Sequence, residues 1–162
     1  MAPAVRVPPS RWISPDRMNA DQLIARALRC LEERACYGEF ISDYKSLSAY
    51  LRLQLAPEKN EVFAVVFLDN NHRVLAFEKM FFGTINCSFV HPRVVAQRAL
   101  AHNAAAVIFA HNHPALTTKP SESDKQITQK LKTVLELIDV HVLDHMIVTL
   151  NSSFSFAEHD LL

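Results

Sequence analysis

Two histidines at the end of an apolar segment are the residues in this chain best suited to chemistry. His111 and His113 follow residues 105–110, whose continuous apolar run predicts a buried strand. Because side chains alternate between the two faces of a strand, both imidazoles should leave the same face, with their Cα atoms about 7 Å apart. Pro114 cannot donate to a strand ladder, so we expect pairing to stop there and both rings to lie at an exposed strand end.

A carboxylate is available to complete this pair. Asp124 lies in the first turn of a helix predicted at 121–138, beyond a polar loop at 112–120. Two imidazoles, one carboxylate and an open fourth position form the ligand set of a catalytic zinc site rather than a closed structural one. Two alternatives stay open: a His-x-His pair alone is common by chance, and Ser121 with Asp124 has the spacing of a helix N-cap followed by an acid. Since a cap would fix the turn that carries Asp124, capping and metal binding are compatible, and we predict one zinc ion per chain.

The elements that must position these side chains alternate between apolar runs and amphipathic segments. The predicted helices cover residues 19–34, 44–55, 92–103 and 121–138. The predicted strands cover residues 62–68, 73–82, 84–90, 105–110, 140–150 and 154–156. The apolar run at 62–68 suits a strand that is buried on both faces, and Gly83 should break the strand before it. We therefore predict an α/β fold, a single layered domain with a mixed central sheet flanked by helices.

The chain has 162 residues, which suits one core, with three segments of different character. Residues 1–17 contain four prolines and little that could enter a core, so they predict a flexible tail. Residues 18–43 predict a helical extension, and residues 44–162 the metal-binding domain itself. Cys30, Cys36 and Cys87 are odd in number and show no Cys-x-x-Cys spacing, which favours reduced, partly buried thiols in the cytosol over disulfides.

The overall charge limits the classes of partner. Seventeen basic and seventeen acidic side chains cancel, so nothing draws the chain generally to nucleic acid or to anionic membranes. The N-terminus lacks the apolar core of a signal peptide, and no run of eighteen apolar residues exists to span a membrane. We expect a cytoplasmic protein; a nucleic-acid partner is possible but unsupported by charge.

The motif around the histidines carries a family resemblance. His-x-His, seven residues, Ser, two residues and Asp resembles the motif of the JAB/JAMM (MPN-type) metalloproteases, and His111-Asn112-His113-Pro114 with Pro120-Ser121 is similar to the signature loop of the RadC family. The other stretches similar to that family are Gly83-Thr84, Val90-His91-Pro92-Arg93, Asn103-Ala104-Ala105 and Leu143-Asp144-His145. The resemblance covers about residues 44–162 and implies a JAB/MPN-like domain with cytidine-deaminase-like layering.

The resemblance also implies roles for two further residues. JAMM enzymes use as general base a glutamate ahead of a buried strand, some fifty residues before the histidines, and Glu61 stands directly before 62–68; Glu58 and Glu78 are rivals. Ser121 would steady the oxyanion, although pure helix capping explains it equally well. The activity that the resemblance implies is zinc-dependent hydrolysis of peptide or isopeptide bonds, with an unidentified peptide or protein as the substrate.

Two departures from the family qualify that implication. Ala115-Leu116 stands where the family usually has Ser-Gly, which removes backbone freedom beside the metal. Residues 1–43 are too short and too poor in glycine for the helix-hairpin-helix DNA-binding module of longer members, so the chain resembles the short stand-alone ones. The alternative function is a non-catalytic metal-binding partner module associated with DNA repair or mobile-element DNA processing.

The remaining histidines and two cations are more readily explained without chemistry. His145 has two interpretations, a satisfied core histidine or a partner that orients a zinc ligand. Arg93 and Lys125 could touch a substrate anion, but solvated helix charges are the default. The histidines without ligand spacing, which we assign structural roles, are His72, His91, His102, His141 and His159.

Overall fold

The computed structural model describes residues 18–36, 44–83, 90–114 and 117–162. The helices are α1 (Ala20–Cys36), α2 (Tyr44–Leu55), α3 (Pro92–Ala101) and α4 (Glu122–Glu136), followed by a short 3₁₀ turn at Ala157–His159. The strands are β1 (Val62–Leu68), β2 (Val74–Phe82), β3 (Ala106–Asn112), β4 (His141–Val148) and β5 (Ser153–Ser155). These bounds confirm the predicted helices and five of the six predicted strands to within two residues at each end.

The five strands form one mixed sheet in the order β2-β1-β3-β4-β5. Neighbouring strands are antiparallel except β3 and β4, which are parallel. Parallel neighbours need a crossover connection, and α4 supplies it between these two strands. The architecture is therefore the predicted α/β layering, and it puts β3 in the centre of the sheet.

The run of seven apolar residues in β1 is buried along its whole length. Its even-numbered side chains join a core cluster with α2, while Phe63, Val65 and Phe67 join a second cluster with α3 and α4. Each face of the sheet thus has its own helical cover, which explains why β1 shows no polar alternation.

The same alternation in β3 separates the two kinds of polar residue at its end. Val107 and Phe109 pack on the α3/α4 side of the sheet, so His111 leaves on that side while Asn112 leaves on the α2 side. The expectation of an exposed strand end is wrong for His111, whose exposed fraction is 1%. Pairing continues past the predicted end, because β1 and β4 flank β3 up to His111 and Asn112 respectively, and His113 still donates its N–H to Val148.

Several expectations concern other parts of the chain. Cys30 is exposed on α1 rather than partly buried, because only one side of that helix approaches the core. The predicted 1–17 tail, residues 84–89 of the predicted 84–90 strand and the Ala115-Leu116 substitution lie outside the described residues. Within the described part of the chain, no helix is both long and apolar enough to cross a membrane.

Candidate metal centre

Three side chains meet beside the end of β3 in the arrangement that the motif predicts. The Nε2 atoms of His111 and His113 lie 3.0 Å apart. Oδ1 of Asp124 lies 3.5 Å from Nε2 of His111, and Oδ2 lies 3.7 Å from Nε2 of His113. Among the described residues this is the one group of three potential ligands close enough to share an ion.

The start of α4 fixes the carboxylate. Ser121 is the N-cap: its hydroxyl accepts a hydrogen bond from the N–H of Asp124, and its own N–H donates to Oδ2 of Asp124 at 2.7 Å. The Ser121 hydroxyl also donates to the same Oδ2 at 2.7 Å. This capping box ties the Asp124 carboxylate to the first turn of the helix and holds it beside the two histidines.

A backbone carbonyl sets the tautomer of His113. Nδ1 of His113 lies 2.8 Å from the carbonyl oxygen of Thr117, which can only accept a hydrogen bond. Nδ1 must therefore carry the proton, and in a neutral ring Nε2 then presents a lone pair toward His111 and Asp124. A metal ligand needs that form.

A third histidine supports His111 from behind. Nδ1 of His111 lies 2.8 Å from Nε2 of His145, and Nδ1 of His145 lies 2.6 Å from the Thr128 hydroxyl. Burial lowers the pKa of His111 to about 4, against the opposing pull of Asp124, and His113 lowers it further. Burial also holds the pKa of His145 well below its usual value. His145 therefore fits both interpretations made from the sequence: it is a buried core residue, and it is a partner of His111.

The donor set suits a small cation such as zinc. Two ligand atoms at about 2.0–2.1 Å from a tetrahedral zinc ion are about 3.3 Å apart, close to the three distances above. Within the described residues, no lysine or arginine forms an ion pair with Asp124. Two imidazole lone pairs and a carboxylate therefore converge without a side-chain cation between them.

Glu61 lies next to this cluster, half-buried and directly before β1. Burial raises the pKa of Glu61, the nearby Asp124 carboxylate raises it further, and His113 lowers it. In the described part of the chain its carboxylate makes no hydrogen bond and no ion pair, although its backbone carbonyl accepts from Gly83 at 2.8 Å. A carboxylate whose pKa is raised in this way is a stronger base than an exposed one, which suits a group that exchanges protons.

The residue between the two histidines anchors the segment that carries Glu61. Oδ1 of Asn112 accepts from the N–H of Val62 at 2.7 Å, and its amide nitrogen donates to the carbonyls of Asn60 at 3.0 Å and Glu58 at 3.3 Å. The two histidines and Asn112 point to opposite faces of the sheet. The tripeptide 111–113 therefore connects the His-His-Asp cluster with the segment that carries Glu61. This role was not predicted from the sequence, although the His-x-His spacing signals it, since the middle residue of such a motif on a strand must face the other way.

The rival acids are engaged elsewhere. Glu58 accepts a hydrogen bond from Lys79 at 2.6 Å. Glu78 accepts from Nη2 and, at 2.7 Å, from Nε of Arg98, and lies 2.7 Å from Nε2 of His102. Both acids therefore have basic partners, and Glu61 has none in the part of the chain that the structure describes.

The two cations considered for substrate binding lie at the surface. Lys125 donates to Glu122 at 2.6 Å on the exposed side of α4, and Arg93 is exposed at the start of α3. Both positions agree with the interpretation of these residues as solvated charges on helices.

The sequence profile of the RadC-like JAB domain family matches residues 41–161. The chain belongs to this family. It is similar to a UPF0758 protein of Vibrio cholerae serotype O1, 44% identical over 155 residues that cover 96% of this chain and 98% of that protein. It is also similar to the UPF0758 protein YkfG of Escherichia coli K12, 48% identical over 142 residues that cover 87% of this chain and 90% of that protein.

Other relatives are longer. The UPF0758 protein of Pseudomonas syringae pv. tomato is 57% identical over 113 residues, which cover 70% of this chain and 50% of that protein. The chain thus spans nearly all of the Vibrio and Escherichia relatives and about half of the Pseudomonas one. The names of these three UPF0758 proteins state no activity, so the family membership identifies a JAB-type domain and not its reaction.

Proposed function

We propose that this RadC-like domain is a zinc-dependent hydrolase of peptide or isopeptide bonds, with His111, His113 and Asp124 as the zinc ligands. The observation that carries the proposal is the position of Glu61, a half-buried carboxylate that lies beside a His-His-Asp cluster and pairs with no side chain among the described residues. A purely structural metal site has no need of a second acid with a raised pKa.

A zinc ion at this cluster would lower the pKa of a water molecule to about 7 and polarise a carbonyl group. Glu61 would transfer the protons of the reaction. Its carboxylate accepts one from the attacking water and returns one to the leaving amine, so that the same residue serves as base and acid. The raised pKa of Glu61 suits this double role, because a carboxylate of higher pKa is a stronger base toward water and its acid form can still protonate an amine.

Ser121 is the remaining candidate for the reaction. In the resting geometry its hydroxyl proton is directed at Asp124, so it orients a ligand. We assign it that role first and oxyanion stabilisation second, since the second requires the hydroxyl to turn away from Asp124 while the cap is kept by the Ser121 N–H.

The test is a digest of peptide and linked-peptide libraries by zinc-loaded protein, followed by rates for two matched glutamate variants. Glu61→Gln should keep the zinc and lose about 10²–10⁴-fold in turnover, the usual contribution of a positioned acid-base group. Glu58→Gln, three residues earlier and paired with Lys79, is the control and should turn over at nearly the wild-type rate.

Two outcomes would contradict this proposal in different ways. Equal rates for Glu61→Gln and the wild type would place the base elsewhere. Failure of fully zinc-loaded wild-type protein to cleave any library would favour the non-catalytic partner module instead.

A further inference from the structure

A buried series of hydrogen bonds leads from the backbone of α4 to the ring of His111. The Thr128 hydroxyl donates to the carbonyl oxygen of Asp124 at 2.5 Å and lies 2.6 Å from Nδ1 of His145. Nε2 of His145 lies 2.8 Å from Nδ1 of His111. All four residues in this series are buried, so water does not compete for these contacts.

The direction of each bond follows from the first. A carbonyl oxygen only accepts, so the single hydroxyl proton of Thr128 is committed to Asp124. The Thr128 oxygen must then accept from His145, which puts the ring proton of His145 on Nδ1. A neutral His145 has a bare Nε2, which can only accept from His111 at Nδ1. His111 is left with a lone pair on Nε2, the atom that faces His113 and Asp124.

We propose that Thr128 and His145 are positioning residues that hold His111 in the tautomer able to bind a metal ion through Nε2. The proposal rests on the proposed metal site but not on hydrolysis. It gives Asp124 two functions, since its carboxylate faces the metal position while its carbonyl starts the hydrogen-bond series that sets the other ligand. Thr128 lies four residues after Asp124 on α4, so one helical turn brings both functions to the same face.

A packing role is the competing interpretation of His145. Its ring stacks on Phe156 at a centroid distance of 4.7 Å and meets Phe63 and Phe109 edge-on at 5.5 and 5.8 Å. Packing of this kind depends on ring shape and is indifferent to which nitrogen carries a proton. The decisive substitution should therefore leave the His145 ring in place and change only the proton direction.

Thr128→Val is such a substitution, because it removes the hydroxyl with little change in volume. His145 is then free to carry its proton on Nε2 and donate to His111, which forces the His111 proton onto the metal-binding nitrogen. Thr133→Val is the matched control: Thr133 lies on the same helix and donates in the same way to the carbonyl of Gln129, but it is exposed. Thr128→Ser restores the hydroxyl and serves as the rescue.

The experiment measures the zinc dissociation constant of the full chain by competition with a chromophoric chelator, alongside ¹H–¹⁵N spectra of the imidazole rings. We expect Thr128→Val to bind zinc about 10–100-fold more weakly than the wild type, the usual cost of losing a ligand-orienting partner. Thr133→Val and Thr128→Ser should bind within a few-fold of the wild type. The metal-free spectra should show His111 protonated at Nδ1 in the wild type and at Nε2 in Thr128→Val.

The outcomes separate this inference from the function. Equal zinc affinity in Thr128→Val and the wild type, or a wild-type His111 protonated at Nε2, overturns the positioning role and leaves the hydrolase proposal standing. Weakened zinc binding without hydrolysis by any form supports the positioning role and removes the hydrolase. A wild-type protein that binds no zinc overturns both.

Discussion

Two clusters of charged and histidine side chains lie on the same side of the sheet, and they differ in whether basic side chains pair with their acids. In the first, Glu78 on β2 meets Arg98 and His102 on α3, so an acid is surrounded by donors. In the second, Glu61 and Asp124 lie beside His111 and His113 with no lysine or arginine paired to either acid among the described residues.

The acids respond in opposite directions. The hydrogen bond from Arg98 lowers the pKa of Glu78 to about 2, partial burial opposes it, and His102 lowers it further. Burial and Asp124 raise the pKa of Glu61. The first cluster supplies its own positive charge, whereas no lysine or arginine among the described residues neutralises the carboxylates of the second.

The largest expected effect separates the clusters by their response to zinc. Zinc at 1,000 times its dissociation constant should stabilise the wild type by about 4 kcal/mol, since an ion that binds only the folded state shifts the equilibrium by mass action. His111→Ala should abolish this gain, and His102→Ala, in the other cluster, should keep it. Thermal melts with and without zinc measure both effects. If zinc still stabilises His111→Ala, the ion does not bind at the cluster that contains His111.

A second effect probes the link between the metal cluster and its acid. Asn112→Asp replaces the amide that donates to the carbonyls of Asn60 and Glu58 with an acceptor, so it should cost about 1–3 kcal/mol of folding free energy. It should also reduce hydrolysis more than zinc affinity, because it loosens the segment that carries Glu61. Asn71→Asp, in an exposed turn, is the control. If Asn112→Asp and Asn71→Asp have the same free energy of unfolding and the same rate of hydrolysis, Asn112 does not hold the segment that carries Glu61.

The third effect is the pH dependence of the Glu78 cluster. The folded pKa of Glu78 lies below its ordinary value of 4.5, so its ion pair stabilises the fold fully above pH 4.5 and loses that contribution as the pH falls toward about 2. Because the pair is partly exposed to solvent, Glu78→Gln should cost only about 0.5–1 kcal/mol at pH 7. Denaturant titrations should show this difference vanish near pH 2, and a constant difference would contradict it.

The smallest expected effect is the pH dependence of stability that comes from Glu61, whose pKa shift is opposite in direction to that of Glu78. Its folded pKa lies above the ordinary value, so ionisation costs stability as the pH rises from 4.5 through the folded pKa. Metal-free Glu61→Gln should therefore be slightly more stable than the wild type at pH 7 and equal to it below pH 4.5. Unfolding of the metal-free proteins at both pH values measures this, and a destabilised variant at pH 7 would give Glu61 a structural role.

Local patterns in the sequence were enough to predict much of this arrangement. The apolar run of β1 predicted a doubly covered strand, and strand alternation predicted that His111 and His113 leave one face. The burial of His111 could not be predicted, because it depends on β1 and β4 extending beside β3, which is a property of strand order. The contact between His111 and His145 joins residues 34 positions apart, and parallel pairing of β3 with β4 creates it.

A crystal structure of zinc-treated protein, recorded with anomalous scattering at the zinc edge, would decide whether His111, His113 and Asp124 hold one zinc ion. We predict one peak per chain, about 2.0–2.1 Å from Nε2 of both histidines and about 2.0–2.2 Å from the Asp124 carboxylate. A peak at another group of residues, ligation of His111 through Nδ1, or no peak beside β3 in protein that contains zinc would contradict it.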